Sequence, residues 1–159
     1  MIVLKFGKEI KGDSTASGFE DQIQLTSLNF NTSRNIVLPK GTGTRESAGL
    51  HISEISCTKD FDIASPELFM QSVSGDSLEK ASFTYLQTDN DGKPQAFLVV
   101  TLQDPIVTNY HHSASPGVRP TESFSLNFTE IKLEYTQYTG EKATKASPKG
   151  WNLLASKAA

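Results

Sequence analysis

Ser123-Phe124-Ser125-Leu126-Asn127-Phe128 alternates small polar with apolar side chains. After Thr129-Glu130, Ile131-Lys132-Leu133-Glu134-Tyr135-Thr136 alternates again with the apolar phase displaced by one residue. Successive side chains of a strand point to opposite faces, so each half is a half-buried strand. The slip between them means either a bulge that bends one long strand or a tight corner between two strands. Slips of the same kind occur where Ile23 and Leu25 give way to Leu28 and Phe30, and where Leu50 and Ile52 give way to Ile55 and Cys57. Bent strands that recur in this way suit a barrel.

Working outward, Ala81, Phe83 and Tyr85 lead into Asp89-Asn90-Asp91-Gly92, and Phe97 to Val100 with Leu102 return. This reads as a hairpin whose turn tolerates positive φ. The returning arm is apolar on both faces, which predicts cover on both sides, from the helix or from a neighbouring subunit. Pro105 and Pro120 mark strand boundaries, because proline cannot donate to a ladder. One helix is predicted. Ser65 would cap it, Pro66 fits the first helical position, Glu67 complements the amino-terminal dipole and Gly75 ends it, with Leu68, Phe69 and Val73 as its apolar positions. Pro39 to Gly49 has three glycines and almost no apolar side chain, and reads as a long loop. The reading is mainly β with one short helix.

The totals agree with one domain spanning residues 1–159, with 36% hydrophobic and 21% charged residues. A formal net charge of -3, with Lys and Arg scattered singly among acidic residues, argues against a nucleic-acid partner. No stretch reaches the roughly 20 apolar residues that a bilayer span needs, so no membrane insertion is expected. Ile2, Val3 and Leu4 meet Lys5 at once, leaving no apolar core for a cleaved signal peptide, and a cytosolic start is expected. Cys57 is the only cysteine, which excludes an intramolecular disulfide and a thiolate zinc cluster; it reads as a small buried side chain.

No cofactor, metal or catalytic residue is expected. His111 and His112 are adjacent and would point to opposite faces of a strand, and His51 has no partner at a ligand spacing. A calcium loop starting at Asp89 would need a bidentate glutamate where Val100 stands. Lys40-Gly41-Thr42-Gly43-Thr44 lacks the order of a phosphate-binding loop, and no G-x-S-x-G elbow occurs. Glu20-Asp21 reads as a solvated pair, and Trp151, with Leu153 and Leu154, as core that anchors the end of the chain.

Thr58-Lys59-Asp60-Phe61-Asp62, followed by Ser65-Pro66-Glu67-Leu68 and Gly75, resembles a strand-to-helix motif of the Hcp family, tube-forming subunits of the bacterial type VI secretion machine. Further matches are Leu102-Gln103-Asp104, Ile106 to Tyr110, Glu122, Ser125 to Phe128, Ile131, Tyr135, Gly150 to Leu153, and an early Ile10 to Ser14. The resemblance covers nearly the whole chain and is weakest between Asn31 and Gly49.

The resemblance implies a compact, two-sheet, β-barrel-like domain with a flanking helix and a long extended loop. It implies a homohexameric ring that stacks into a hollow tube, ejected when a surrounding sheath contracts. The implied partners are further copies of the chain, sheath, baseplate and tip (spike) proteins, and small effector proteins held in the lumen. Secretion without a cleaved signal is also implied. The best match to the family's ring-stacking element is the loop from Pro39 to Gly49, which assigns inter-ring contacts to Pro39, Lys40, Arg45 and Glu46. Some relatives carry an enzymatic extension, and only Ala155 to Ala159 follow the last motif here, so an enzyme is not expected. The rival readings are a monomeric β-barrel binding module and a hydrolase or toxin with its site inside the barrel.

Overall fold

The computed structural model describes residues 1–37, 46–140 and 142–159, with backbone alone for 46–48. Two of the three phase slips are points where the chain crosses from one layer to the other. Ile23–Leu25 (β2) pairs with Ile2–Phe6 (β1), whereas Ser27–Asn29 (β3), one residue later, pairs with Ile55–Asp60 (β6) in the other sheet. Thr26 holds this corner, with both its N–H and its hydroxyl donating to the Thr58 carbonyl at 2.8 and 2.9 Å. Thr121–Asn127 (β10) and Glu130–Thr139 (β11) turn a second corner through Phe128 and Thr129. A strand that keeps its apolar side inward while moving to the facing sheet has to reset its alternation, and the one-residue slip does so. Of the two readings of the slip, the corner between separate strands is the one observed.

The larger sheet runs β14-β13-β11-β8-β7-β1-β2, with β12 also pairing β11. Here β7 is Lys80–Thr88, β8 Pro94–Gln103, β12 Lys142–Lys145, β13 Lys149–Asn152 and β14 Lys157–Ala158. The smaller sheet runs β3-β6-β10-β9, with β9 spanning Ile106–Ser113. Thr32–Val37 (β4) and Glu46–Ile52 (β5) form a separate ribbon, and all pairings among the described residues are antiparallel. The expected mainly β, two-sheet body with one helix is therefore what the chain builds, as facing layers that do not close into a continuous barrel. Between the layers, Leu4, Ile23, Phe83, Val100 and Leu102 meet Ile55, Cys57, Phe124 and Leu126, all essentially without solvent contact. Burial of Cys57 pushes its thiol well above the ordinary range, in keeping with an inert packing role.

The hairpin of β7 and β8 forms as expected. The Asp89 carboxylate accepts the N–H groups of Asp91 and Lys93 at 2.9 and 2.7 Å, and Gly92 takes φ 79°. Pro105 and Pro120 stand immediately before β9 and β10. The helix does not cover the second face of β8, which is half-buried. Phe97 and Val99 share a hollow of about 330 Å³ with Tyr138, Ala146 and Pro148, and the Tyr138 hydroxyl donates to the Ala96 carbonyl at 2.9 Å. The end of β11 and the segment after it flank that face and leave Phe97 and Val99 half-buried.

The helix Ser65–Ser74 (α1) ends at Gly75 as expected, φ 70°, with the glycine N–H donating to the Gln71 carbonyl at 3.0 Å. Its start and its inner face differ. Ala64 is the cap residue, and Asp62 ties the turn by accepting the Ala64 N–H at 2.8 Å; Ser65 is already helical. The buried side chains are Ser65, Leu68 and Gln71, whereas Phe69 and Val73 are exposed. Leu68 alone of the expected apolar positions enters the core, because the turns on either side of it place polar groups there.

The early turn depends on Gly12. Its N–H donates to the Asp21 carbonyl at 2.9 Å, and a Cβ there would stand 2.5 Å from the Gln22 carbonyl oxygen and the Ile23 Cα. Both obstacles are backbone atoms. Gly12→Ala is expected to destabilise by about 1–3 kcal/mol, measurable as a lowered urea midpoint at unchanged slope, and an unchanged midpoint would refute the close approach.

Candidate functional site

Alternation along β6 turns Ile55, Cys57 and Lys59 toward the core, so a lysine ammonium enters the interior. Lys59 has 0% exposure, and an ion there survives only when its donors are all used. Lys59 Nζ donates at 2.7 Å to each of Glu122 Oε1, Asp62 Oδ1 and the Asp60 carbonyl, and lies 3.3 Å from Ser65 Oγ. Glu122 stands opposite Lys59 in the register of β10 and β6 and is 1% exposed. It also accepts the Ser65 hydroxyl at 2.7 Å on Oε1 and the Tyr110 hydroxyl on Oε2. Burial, with donation to the Glu122 carboxylate, pushes the Tyr110 phenol well above its ordinary value. One knot thus joins β6, β9, β10 and the first turn of α1.

The motif residues Lys59, Asp62, Ser65 and Glu122 are brought together here. The Glu122 oxygens are both occupied by donors and the ammonium is saturated, so the knot holds neither a free base nor an activated nucleophile. Its effect is positional: it fixes the small sheet and seats the helix against β9. The Phe69 and Tyr110 rings meet edge to face at 5.8 Å, and Phe61 meets His112 in the same way at 5.1 Å.

The other face of the same four strands is the candidate surface. Ser27, Thr58, Ser123 and His111 form one row across β3, β6, β10 and β9, and Asn29, Ser56, Ser125 and Asn109 form the next. Beyond them stand Asp60, Thr121 and Ser113. Both complete rows hold hydroxyl, amide and imidazole groups only, with no apolar and no acidic or lysine side chain. The Ser56 and Ser125 hydroxyls lie 3.3 Å apart, under a shallow hollow of about 360 Å³. His111 belongs to this polar face and His112 to the inner one, as their adjacency requires.

Among the described residues this sheet has two open edges. β9 is eight residues long, whereas β3 has three and runs on through Phe30 and Asn31 into β4. Each strand is antiparallel to its neighbour, so β9 and β3 point in opposite directions. A long uncovered edge offers a row of unpaired backbone groups to another chain.

The ribbon is the second exposed element. Every residue of β4 is exposed, including Ile36 and Val37, as is Leu50 on β5. Asn31 and Ser53 clasp its base, the Ser53 N–H donating to the Asn31 carbonyl and the Asn31 N–H to the Ser53 hydroxyl, both at 2.9 Å. Gly49, φ 61°, sits where the register shifts, an extra residue opposite Arg34 and Asn35. A lone two-stranded ribbon is marginal in water, so this one suits a partner surface. The expected stacking loop is the stretch from Pro39 to Gly49. Pro39, Lys40 and Arg45 fall outside the described residues, as does the Glu46 side chain, while the loop read as far as Gly49 is already strand from Glu46 onward.

The remaining candidates have local roles. Glu20 is exposed and takes the Gly18 N–H at 3.0 Å; backbone donors hold its carboxyl below the usual range. Trp151 is half-buried on β13, packs against the core and, with Leu50, Ile52 and Leu153, lines a groove of about 440 Å³. Among the described residues no cluster of His, Cys, Asp and Glu could hold a metal ion.

A family model described as type VI secretion system effector, Hcp, matches residues 3–135. The chain is 27% identical over 107 residues to protein hcp1 of Pseudomonas aeruginosa, a match spanning 65% of each chain. It is 25% identical over 137 residues to the major exported protein of the same species, covering 82% of this chain and 77% of that one. Among solved structures, a type six secretion system protein superposes with a TM-score of 0.90 at 23% identity, over 99% of this chain and 98% of that one. Hcp1 from Salmonella typhimurium superposes with a TM-score of 0.77 at 24% identity, over 99% and 97%. At these identities the superpositions establish the fold.

Lys59→Met leaves Glu122 and Asp62 buried without their cation and is expected to cost roughly 3–5 kcal/mol in denaturant unfolding. Adding Glu122→Gln should recover part of that loss; a loss under about 1 kcal/mol for the single variant would show that the knot is not structural. The alkaline limb offers a separate test. A phenol whose folded pKa is raised contributes stability in full below the ordinary 10.0 and loses it as the pH climbs beyond. Tyr110→Phe should therefore flatten the fall in melting temperature above about pH 10, and an unchanged slope would remove Tyr110 as its source.

Proposed function

Because the chain belongs to the Hcp family of type VI secretion proteins, we propose that it is a structural subunit of the type VI inner tube, assembling as a hexameric ring. The observation that carries this reading is the small sheet with its two uncharged polar rows and two open edges. β9 of one copy and β3 of the next run in opposite directions, so joining them continues an antiparallel sheet without a break. Head-to-tail contacts of that kind close into a ring when the rotation between copies allows it. The rows from Ser27 to His111 and from Asn29 to Asn109 then line the lumen. Short hydroxyl and amide side chains keep such a channel wet, and the absence of long charged groups leaves it open.

In this reading the β4–β5 ribbon reaches the next ring. Its tip, with Pro39, Lys40, Arg45 and Glu46, carries the stacking contacts. The whole chain acts as one tube domain without enzymatic activity, contacting sheath, baseplate and spike proteins and being ejected when the sheath contracts. It resides in the bacterial cytoplasm before assembly and leaves without a cleaved signal. The lumen face holds small effector proteins through hydrogen bonds, as a chaperone would.

Light scattering on a size-exclusion column, with negative-stain images of the same peak, tests the reading. The expected result is a hexamer mass and a ring with a central hole. A monomer at micromolar concentration without rings would leave the family membership and remove the tube function, in favour of a monomeric binding module.

A further inference from the structure

Helix α1 lies against β9 on the inner side of the small sheet, at the edge that another copy would extend. There it exposes Phe69, Met70 and Val73 at 50, 52 and 67% of their surface. Three large apolar side chains on one ten-residue helix form a contiguous patch without cover among the described residues. The opposite edge of the sheet holds a counterpart. Leu28 on β3 shares the inner row of Cys57, Phe124 and Tyr110, and Phe30 follows it; both are only partly buried and pack against the core. An apolar patch thus stands at each open edge, both on the inner side. The two patches are different, as a head-to-tail contact requires.

We propose that Phe69, Met70 and Val73 of one copy seat on Leu28 and Phe30 of the next, closing a hydrophobic seam beneath the β9–β3 junction. The occupant is a second copy of this chain, and the inference rests on the ring reading above. Strand pairing alone supplies backbone hydrogen bonds that water also supplies, whereas the seam removes apolar area from water and gives the junction its affinity. The ionic knot contributes by placing the helix. Ser65, in the first turn of α1, is held by Lys59 and Glu122, and Tyr110, whose hydroxyl donates to Glu122 Oε2, is also the ring against which Phe69 rests.

The test compares the wild-type chain with the double variant Met70→Lys and Val73→Lys, whose exposed positions spare the core, and with Leu28→Lys. Far-UV circular dichroism and thermal unfolding check that each is folded. The expected result is an assembled wild type, with loss of the assembly in both variants at concentrations where the wild type is fully associated. Mixing the two variants should then give a 1:1 dimer and nothing larger. The intact helix of one meets the intact edge of the other, and the remaining junction sets lysine against lysine. If the wild type assembles and the folded double variant keeps the same mass and dissociation behaviour, the seam is overturned and the ring stands. If both variants are folded monomers that form no dimer when mixed, the pairing of helix with Leu28 and Phe30 is overturned. A monomeric wild type overturns the ring reading and the seam with it.

Discussion

A lysine ammonium shut away from water between two carboxylates sets the terms for this fold. Lys59 is reached by β6 from one side, by Glu122 of β10 from another, and by Asp62 and Ser65 at the start of the helix. Such a group tolerates little displacement, because each lost contact leaves a charge in a low-dielectric interior. Strand register, the corner into α1 and the seat of the helix on β9 are therefore fixed together. An apolar replacement of the cluster could equal its stability, but it would not aim the helix in the same way.

The small sheet separates its chemistry by face. Its inner side holds the core and the knot, where every charge is matched. Its outer side has two complete rows of hydroxyl, amide and imidazole groups. Since alternate residues of β6 and β10 serve the two sides, Lys59 and Glu122 are committed to the interior while the two complete outer rows stay uncharged. The layer crossing at Thr26 delivers β3 to this sheet, and the one at Phe128-Thr129 carries the chain from β10 to β11 in the larger sheet, each strand keeping its apolar side inward. The open edges, β9 on one side and β3 leading into β4 on the other, are what remain once both faces are satisfied.

The strands and corners were legible in the sequence because a period of two survives in β10 and β11, and its one-residue slip has few physical causes. The β7–β8 hairpin was legible because Asp89 to Gly92 satisfy their own backbone. The helix was placed correctly but turned wrongly. Phe69 and Val73 attract an inward reading by their hydrophobicity, whereas the inner positions belong to Ser65 and Gln71, and Ser65 is drawn there by Lys59 and Glu122, the latter 57 residues away along the chain. The ribbon was half legible, since Thr32 to Val37 carries no alternation and its strand character depends on pairing with β5. The polar face was visible strand by strand, as in Ser123, Ser125 and Asn127, but only the register shows that β3, β6 and β9 agree with it. The motif residues Lys59, Asp62, Ser65 and Glu122 converge, while the stacking contacts assigned to Pro39, Lys40, Arg45 and Glu46 stay a proposal.

The proposed tube rests on one physical event, the joining of the β9 edge to the β3 edge of another copy. Amide hydrogen exchange along Ile106–Ser113 of the assembled particle reads that event directly. In an open edge strand alternate amides face solvent and exchange quickly, whereas in a strand paired on both sides all are protected. The account predicts that the outward β9 amides that meet β3 are protected in the particle to the level of β10, and that they lose this protection on dissociation. Equally fast exchange at all outward β9 positions in the intact particle and after dissociation would contradict it.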